Sequence, residues 1–446
     1  MIGTLIDLAP EYIGMIMIAV MLFAIFIGFP ISFTLIFLGV AFGYWGFGQL
    51  VFFLMTLQFN NVMLEQTLAA VPLFVFMGIM MEQAGLMERL FRSVQLMLAT
   101  TRGSLYIAVL FVSTIFAAAT GIVGASVTIL GIMAAKTMNR AGYDVRLAAG
   151  TITAGGTLGI LIPPSIMLVV MGPVLEVPVT DLFAAAIVPG IMLAFMYTAY
   201  TLLRCWLDPT LGPVLPEEER ANNWRVVARE FFFGLVPPAA LVAFALGSIL
   251  LGWATPTEGA GFGAFGALLL TLAYRKMTVK RFSRALIKTL EISVLILFLV
   301  AASNFFGAVF SRLGTPGMLT NYLLVLDMSP TMILVIIMAF IFLLGWPLEW
   351  VPIVLIIVPI LIPVLEKLDI NLLWFGILVA VNLQTAWLSP PVALSAYFLK
   401  GVVPEWDLKD IYLGMMQFMV IQLIGLALIF AFPQIALWLP TLIYGG

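Results

Sequence analysis

Apolar runs long enough to cross a membrane follow one another along almost the whole chain, more than a soluble core could bury. A crossing helix needs about 20 mainly apolar residues. Ten such segments are legible: Tyr12–Phe29, Ile31–Phe47, Leu68–Ala84, Leu147–Leu175, Phe183–Arg204, Phe231–Trp253, Glu258–Tyr274, Leu286–Phe310, Leu372–Leu399 and Ile411–Leu437. Of the 446 residues, 63% are hydrophobic and 9% charged, where a soluble domain carries roughly 25% charged residues. The expected fold is all-α and integral to the membrane. The first apolar run has no basic segment before it and reads as a span, not a cleaved leader.

Two apolar stretches resist this reading. Gly103–Ala135 holds 33 residues and Thr331–Glu366 holds 36, too many for one crossing and too few for two with a turn. Charge decides between the options, because Lys and Arg concentrate in cytoplasmic loops. With both termini periplasmic and both stretches turning back, eighteen of the 20 basic residues fall on the cytoplasmic side, leaving Arg312 and Lys367. A single crossing at either place would invert everything after it and scatter those charges. Both stretches are expected to be re-entrant hairpins, 103–135 from the cytoplasmic face and 331–366 from the periplasmic face. Lys276, Lys280, Arg284 and Lys288 repeat every four residues, one helix face, and suit an interfacial helix resting on anionic headgroups.

Each half then reads as three spans, a hairpin and two spans: 1–204 and 231–446, joined by the polar cytoplasmic linker 205–230. Five crossings in the first half turn the second upside down, the inverted-repeat arrangement of many ion-coupled carriers. Local sequence agrees. Thr157 precedes Pro163-Pro164, and Thr385 precedes Pro390-Pro391, each inside an apolar segment. A proline removes a backbone donor and clashes with the preceding turn, so both spans are expected to break mid-membrane. Broken backbone at that depth must be buried in protein or line a cavity. Pro237-Pro238, close behind a basic loop, is expected instead to start a helix. The hairpin tips are read at Ala119–Ser126 and Gly345–Pro352, where glycines and prolines let the chain reverse.

The chain contains no histidine, which removes Ser-His-Asp and Cys-His catalysis and histidine zinc motifs. A net charge of -2 gives no basic footprint for nucleic acid. The single cysteine, Cys205, is expected to pack as a small apolar residue. No enzyme activity and no cofactor are indicated.

The segments Ala118–Ser126, Arg140–Ala149 (RAGYDVRLAA), Gly155–Ser165 (GGTLGILIPPS), Pro256–Gly259 (PTEG) and Phe375–Pro391 occur in this order. By them, and over essentially its whole length, the chain resembles the DctM-like large membrane subunit of TRAP (tripartite ATP-independent periplasmic) transporters. The resemblance implies an elevator-type carrier in the bacterial inner membrane that imports a small organic acid (a carboxylate) with Na+ as the coupling ion. It implies two protein partners, a periplasmic substrate-binding protein and a small membrane subunit (DctQ-like). A stand-alone sodium–carboxylate symporter or anion carrier of the same superfamily is the alternative, and it would need no binding protein.

On that reading, one sodium is expected between the first tip and the first break, at Gly121, Gly124, Ser126 and Thr157. A second is expected at Gly345, Pro347, Thr385 and Ser389, with Ser303 in reach. The substrate carboxylate is expected among Thr120, Gly156, Gly159, Pro163, Pro164, Ser165, Asn304, Pro390 and Pro391, where half-helix N-termini offer free N–H groups. Ser303 and Asn304 serve equally well as helix–helix hydrogen bonders. Glu258 is expected to cap a helix, and Glu349 to be either a proton carrier or a plain tip residue.

Overall fold

A computed structural model of the chain describes residues 9–120, 123–215, 224–325, 328–346, 348–390 and 393–445; the side chains at 117–120, 224, 226, 323 and 324 lie outside that description. The described elements are helical, with no strand among them. The first half runs α1 (Pro10–Ile27), α2 (Ile31–Phe47), α3 (Leu50–Leu64), α4 (Ala70–Gln83) and α5 (Leu86–Met97). It continues with α6 (Ser104–Thr120), α7 (Val123–Arg140), α8 (Val145–Thr157), α9 (Ile166–Leu175) and α10 (Val179–Leu207). The second half runs α11 (Trp224–Leu250), α12 (Pro256–Ala273), α13 (Val279–Arg312), α14 (Thr315–Val325) and α15 (Pro330–Leu344). A return arm follows, α16 (Trp350–Pro352) and α17 (Val358–Lys367) joined by a π turn at Ile353–Ile357, then α18 (Leu372–Leu388), α19 (Leu394–Val402), α20 (Leu408–Ala431) and α21 (Gln434–Tyr444).

Corresponding elements recur at nearly constant spacing. Leu50 and Val279, Ser104 and Pro330, Val145 and Leu372, and Val179 and Leu408 begin elements 226 to 229 residues apart. The broken helices Val145–Leu175 and Leu372–Val402 have the same length, 31 residues. The helices pack as two groups. α1–α5 and α11–α14 form a frame, while α6–α10 and α15–α21 form a bundle, and contacts within each group outnumber those between them.

Seven described helices are long and apolar enough to cross a membrane: Pro10–Ile27, Gln66–Gln83, Val179–Leu207, Val227–Leu250, Val279–Arg312, Trp350–Lys367 and Leu408–Ala431. The remaining apolar helices are shorter, including α2, α3, α9, α15 and α18. Three expectations need correcting. α3 is a helix where none was placed, because its 15 residues fall short of a span and carry Gln58, Asn60 and Asn61. The basic stripe does not mark a separate interfacial helix. Lys280, Arg284 and Lys288 occupy the first turns of α13, which runs unbroken for 34 residues, and Lys276 precedes it. At 1.5 Å per residue such a helix is about 51 Å long, beyond the ~30 Å hydrocarbon core, so its basic end can stand outside.

Pro237-Pro238 does not start a helix either; both prolines lie well inside α11. Pro237 has no N–H to give to the Phe233 carbonyl one turn earlier. The Tyr274 hydroxyl at the end of α12 donates to that carbonyl instead. Arg89 of α5 completes the joint. Its guanidinium makes two hydrogen bonds to Glu230, at 2.7 and 3.1 Å, and stands 5.5 Å from the Phe233 ring and 5.7 Å from the Tyr274 ring. Thus α5, the link from the frame to the bundle, is fixed to α11 and α12.

Glu258 behaves as expected, forming a reciprocal capping box with Thr255 at the start of α12. Cys205 is buried at the end of α10, where a Cβ on Gly103 would lie 3.0 Å from its sulfur.

α8 and α20 cross backbone against backbone. A Cβ on Gly414 would lie 2.0 Å from the Arg146 carbonyl oxygen, and one on Gly150 would lie 2.6 Å from the Gly414 oxygen. An Arg146–Asp410 ion pair of 2.7 Å closes the same end. Because the obstacle is backbone, Gly414→Ala is expected to cost about 3 kcal/mol or the folded protein outright. Gly401→Ala, with nothing within 4 Å of the new carbon, should stay within about 0.5 kcal/mol of the parent. Melting of the purified variants in detergent tests the pair.

Candidate functional site

The first break lies where α8 gives way at Thr157 to a 3₁₀ turn over Leu158–Ile160, and α9 resumes at Ile166. Gly159 is in that turn, and the Pro163-Pro164 peptide is cis. Thr157 and Ser165 are fully buried. The Thr157 hydroxyl donates to the Ala154 carbonyl at 2.8 Å, and the Ser165 hydroxyl donates to the Ile160 carbonyl. Hairpin 1 rests against this break. A Cβ on Gly156 would lie 2.4 Å from Val127 Cγ2 and 3.2 Å from its backbone nitrogen. Ser126, next to Val127, is buried. The structure therefore brings Ser126, Gly156 and Thr157 to one place.

The second break repeats the pattern. α18 ends at Leu388 and α19 resumes at Leu394, with Pro390 in the turn. The Thr385 hydroxyl donates to the Asn382 carbonyl at 2.5 Å. The Ser389 hydroxyl donates to the Thr385 carbonyl at 2.6 Å. Both side chains are buried. Gly345, at the end of α15, packs here: a Cβ on it would lie 3.1 Å from the Ala386 Cβ. The two halves also meet, since a Cβ on Gly124 would lie 2.8 Å from the Phe398 ring of α19. Gly121, Pro347, Pro391 and the Thr120 side chain lie outside the described residues.

Two cavities of 280 Å³ each open beside the tips. Glu349 and Trp387 line both. The first residue of each resumed half-helix also faces one of them, Ile166 of α9 in one and Leu394 of α19 in the other. One cavity is bounded by the α1–α2 turn, and the other by α13 from Glu291 to Ile296. A third, more polar cleft of 530 Å³ lies farther along α13, lined by Gln58, Asn61, Glu65, Glu176, Asn304 and Ser311 among others. Asn304 is thus separated from the tip residues, about 12 Å beyond Ile296 at 1.5 Å per residue. Ser303 is fully buried, and its hydroxyl has no partner among the described residues.

Several residues were missed in the sequence. Trp346, Trp350 and Trp387 flank the tip and the second break, where Gly and Pro drew attention from them. Glu291 is a carboxylate one turn past the basic stripe, inside an apolar run. Ser395, buried in the first turn of α19 with no partner among the described residues, had a usable signal as a hydroxyl just after the second Pro-Pro. Gln384 and Gln422 form a buried amide pair in which Gln422 donates at 2.7 Å to the Gln384 carbonyl oxygen and at 3.0 Å to the Val381 carbonyl.

No group of three or more His, Cys, Asp or Glu side chains among the described residues could hold a metal ion. Any cation bound at the breaks would have to use hydroxyl and carbonyl oxygens. The hydroxyls of Thr157, Thr385 and Ser389 each give their proton to a carbonyl of their own helix, which leaves oxygen lone pairs free.

The family described as "Tripartite ATP-independent periplasmic transporter, DctM component" matches residues 16–435. The chain belongs to this family. It is 30% identical over 426 residues to the sialic acid TRAP transporter large permease SiaM of Vibrio cholerae, covering 94% of this chain and 97% of that protein. It is 31% identical to the C4-dicarboxylate TRAP large permease DctM of Pseudomonas aeruginosa, over 84% of this chain and 86% of that one. It is 28% identical to the 2,3-diketo-L-gulonate TRAP large permease YiaN of Escherichia coli, over 96% and 98%. Among solved structures, the YdaH transporter of Alcanivorax borkumensis superposes with a TM-score of 0.65 at 16% identity, covering 97% of this chain and 99% of that one. That likeness concerns the fold alone. A TRAP large permease is a multi-pass membrane transporter and not an enzyme.

The contact between hairpin 1 and the first break is directly testable. Gly156→Ala drives a methyl into Val127 and is expected to cost about 1–3 kcal/mol. Val127→Ala removes the obstructing Cγ2, so the double variant should regain most of that loss. Melting temperature of the purified permease reads both.

Proposed function

We propose that this TRAP permease imports a small organic acid across the bacterial inner membrane, coupled to Na+. In this reading a periplasmic binding protein delivers the acid and a small membrane subunit braces the frame. The carrying observation is the paired architecture. Two broken helices each meet the tip of a helix-turn-helix, with buried hydroxyls at each junction and half-helix N-termini facing cavities beside both tips. Relatives named for sialic acid, C4-dicarboxylates and diketogulonate transport organic acids, which supports the substrate class.

The chemistry follows from the breaks. Free N–H groups and the positive dipole end of α9 or α19 favour a carboxylate. Na+ prefers oxygen, and Ser126 with Thr157 on one side and Thr385 with Ser389 on the other supply it beside unwound carbonyls. A cation close to the carboxylate strengthens its binding, so the two bind cooperatively. The constant spacing of corresponding elements supports the inverted repeat. The segregation of basic residues supports periplasmic termini and hairpins that enter from opposite faces.

Movement is assigned to the bundle. With the basic end of α13 cytoplasmic, the tips stand beside Glu291–Ile296, at the cytoplasmic half of that helix, while the polar cleft lies toward the other side. This is the inward-facing position of an elevator in which the bundle slides along α13.

Uptake of labelled carboxylates into proteoliposomes holding both membrane subunits tests the function. Uptake that requires a sodium gradient and the binding protein is the expected result, and uptake without the binding protein identifies a stand-alone carrier. Thr157→Ala and Ser389→Ala should each raise the sodium concentration for half-maximal uptake about tenfold, the equivalent of ~1.4 kcal/mol. Unchanged sodium dependence in both variants refutes the assigned ion sites.

A further inference from the structure

We propose that the acid carried by this permease has one carboxylate on an apolar body, of the branched-chain or aryl-substituted monocarboxylate class. It is neither a C4-dicarboxylate nor a polyhydroxylated sugar acid. The inference rests on the functional reading above, that the cavities at the tips receive the substrate.

The walls of the two cavities carry the argument. Their described residues include no Lys, Arg, Asn, Gln, Ser or Thr. Among the described wall residues the ionisable side chains are two carboxyl groups, those of Glu291 and Glu349. The first carboxylate of a substrate has half-helix N–H groups to bind. A second would face those glutamates with no side-chain cation to receive it, and like charges at short range oppose each other strongly.

Hydroxyl groups fare little better. Among the described wall residues the side-chain donors are the indole N–H groups of Trp346, Trp350 and Trp387, and the rest is mainly aliphatic, including Ile25, Ile292, Leu295 and Leu348. A polyol body would set most of its hydroxyl oxygens against hydrocarbon, and unsatisfied polar groups there are costly. An apolar body meets what is present. Trp387 lines both cavities and stacks on Phe398 with ring centroids 6.4 Å apart, offering a fixed aromatic face. Trp346 also has a buried indole N–H with no acceptor among the described residues, suited to a single carboxylate or carbonyl oxygen.

The test is ligand-dependent thermal stabilisation of the purified two-subunit membrane complex in sodium buffer. The probes are isovalerate, phenylacetate, succinate and N-acetylneuraminate. Isovalerate and phenylacetate are expected to stabilise saturably. Succinate and N-acetylneuraminate should need at least about tenfold higher concentrations for the same shift. Trp387→Ala should raise the phenylacetate requirement about tenfold, within the range for losing an apolar contact. Glu349→Gln should lower the succinate requirement by a larger factor than that for phenylacetate. Stabilisation by succinate or N-acetylneuraminate equal to or better than that by the apolar acids overturns the inference and leaves the transport reading standing. No shift with any of the four removes the cavities as the substrate site, and the inference with it.

Discussion

Inside a bilayer a backbone N–H or C=O has no water to turn to, so a chain that crosses it must satisfy those groups internally. Three departures from a continuous helix are matched by something that compensates. Where Pro237 removes a donor from α11, Tyr274 supplies a hydroxyl to the stranded Phe233 carbonyl. Where α8 unwinds, Ser165 donates to the carbonyl of Ile160 and the whole stretch is buried. Where α18 ends, Thr385 and Ser389 donate to carbonyls of its last two turns. The two breaks remain the places where backbone polarity is concentrated in the bundle, and each has a hairpin tip beside it. The proposed sites for an ion and an anion would arise from the same unwinding that lipid otherwise forbids.

Close approach is what brings those parts together. Gly150 and Gly414 let α8 and α20 touch backbone to backbone, and Gly156 lets hairpin 1 settle on the first break. The frame is held differently, by a few polar joints at its edge. Arg89, Glu230, Phe233 and Tyr274 bind α5 to α11 and α12, so the segment leading into the bundle is fixed at its start. In the proposed elevator, a bundle packed around glycines would move past a frame pinned by charge, each held together by its own contacts.

Much of the helix layout was legible because hydrophobic length is a strong signal in a membrane chain. The broken helices followed from Pro163-Pro164 and Pro390-Pro391, and their hydroxyls from Thr157 and Ser389. What failed shares a cause, which is that local cues do not report neighbours. Pro237-Pro238 looked like a helix start because nothing in the sequence reveals that Tyr274 lies beside Phe233. The basic stripe looked separate because the length of α13 depends on packing over all its turns. α3 escaped because fifteen residues with three amides match neither a span nor a polar loop. Trp387 and Glu291 escaped because an aromatic or a carboxylate signals a cavity only once the opposite wall is known.

The central claim is that the tip of hairpin 2 travels along α13 between two positions, beside Glu291 and beside Asn304. The most direct measurement is disulfide trapping in membrane vesicles with Cys205 replaced, pairing Glu349→Cys with Glu291→Cys or with Asn304→Cys. The account predicts that both pairs cross-link, the first in the inward-facing state described here and the second in an outward-facing state, and that either bond stops transport reversibly. A permease that transports normally with the Glu291–Glu349 pair locked, or that never forms the Asn304 pair under any condition, would contradict it.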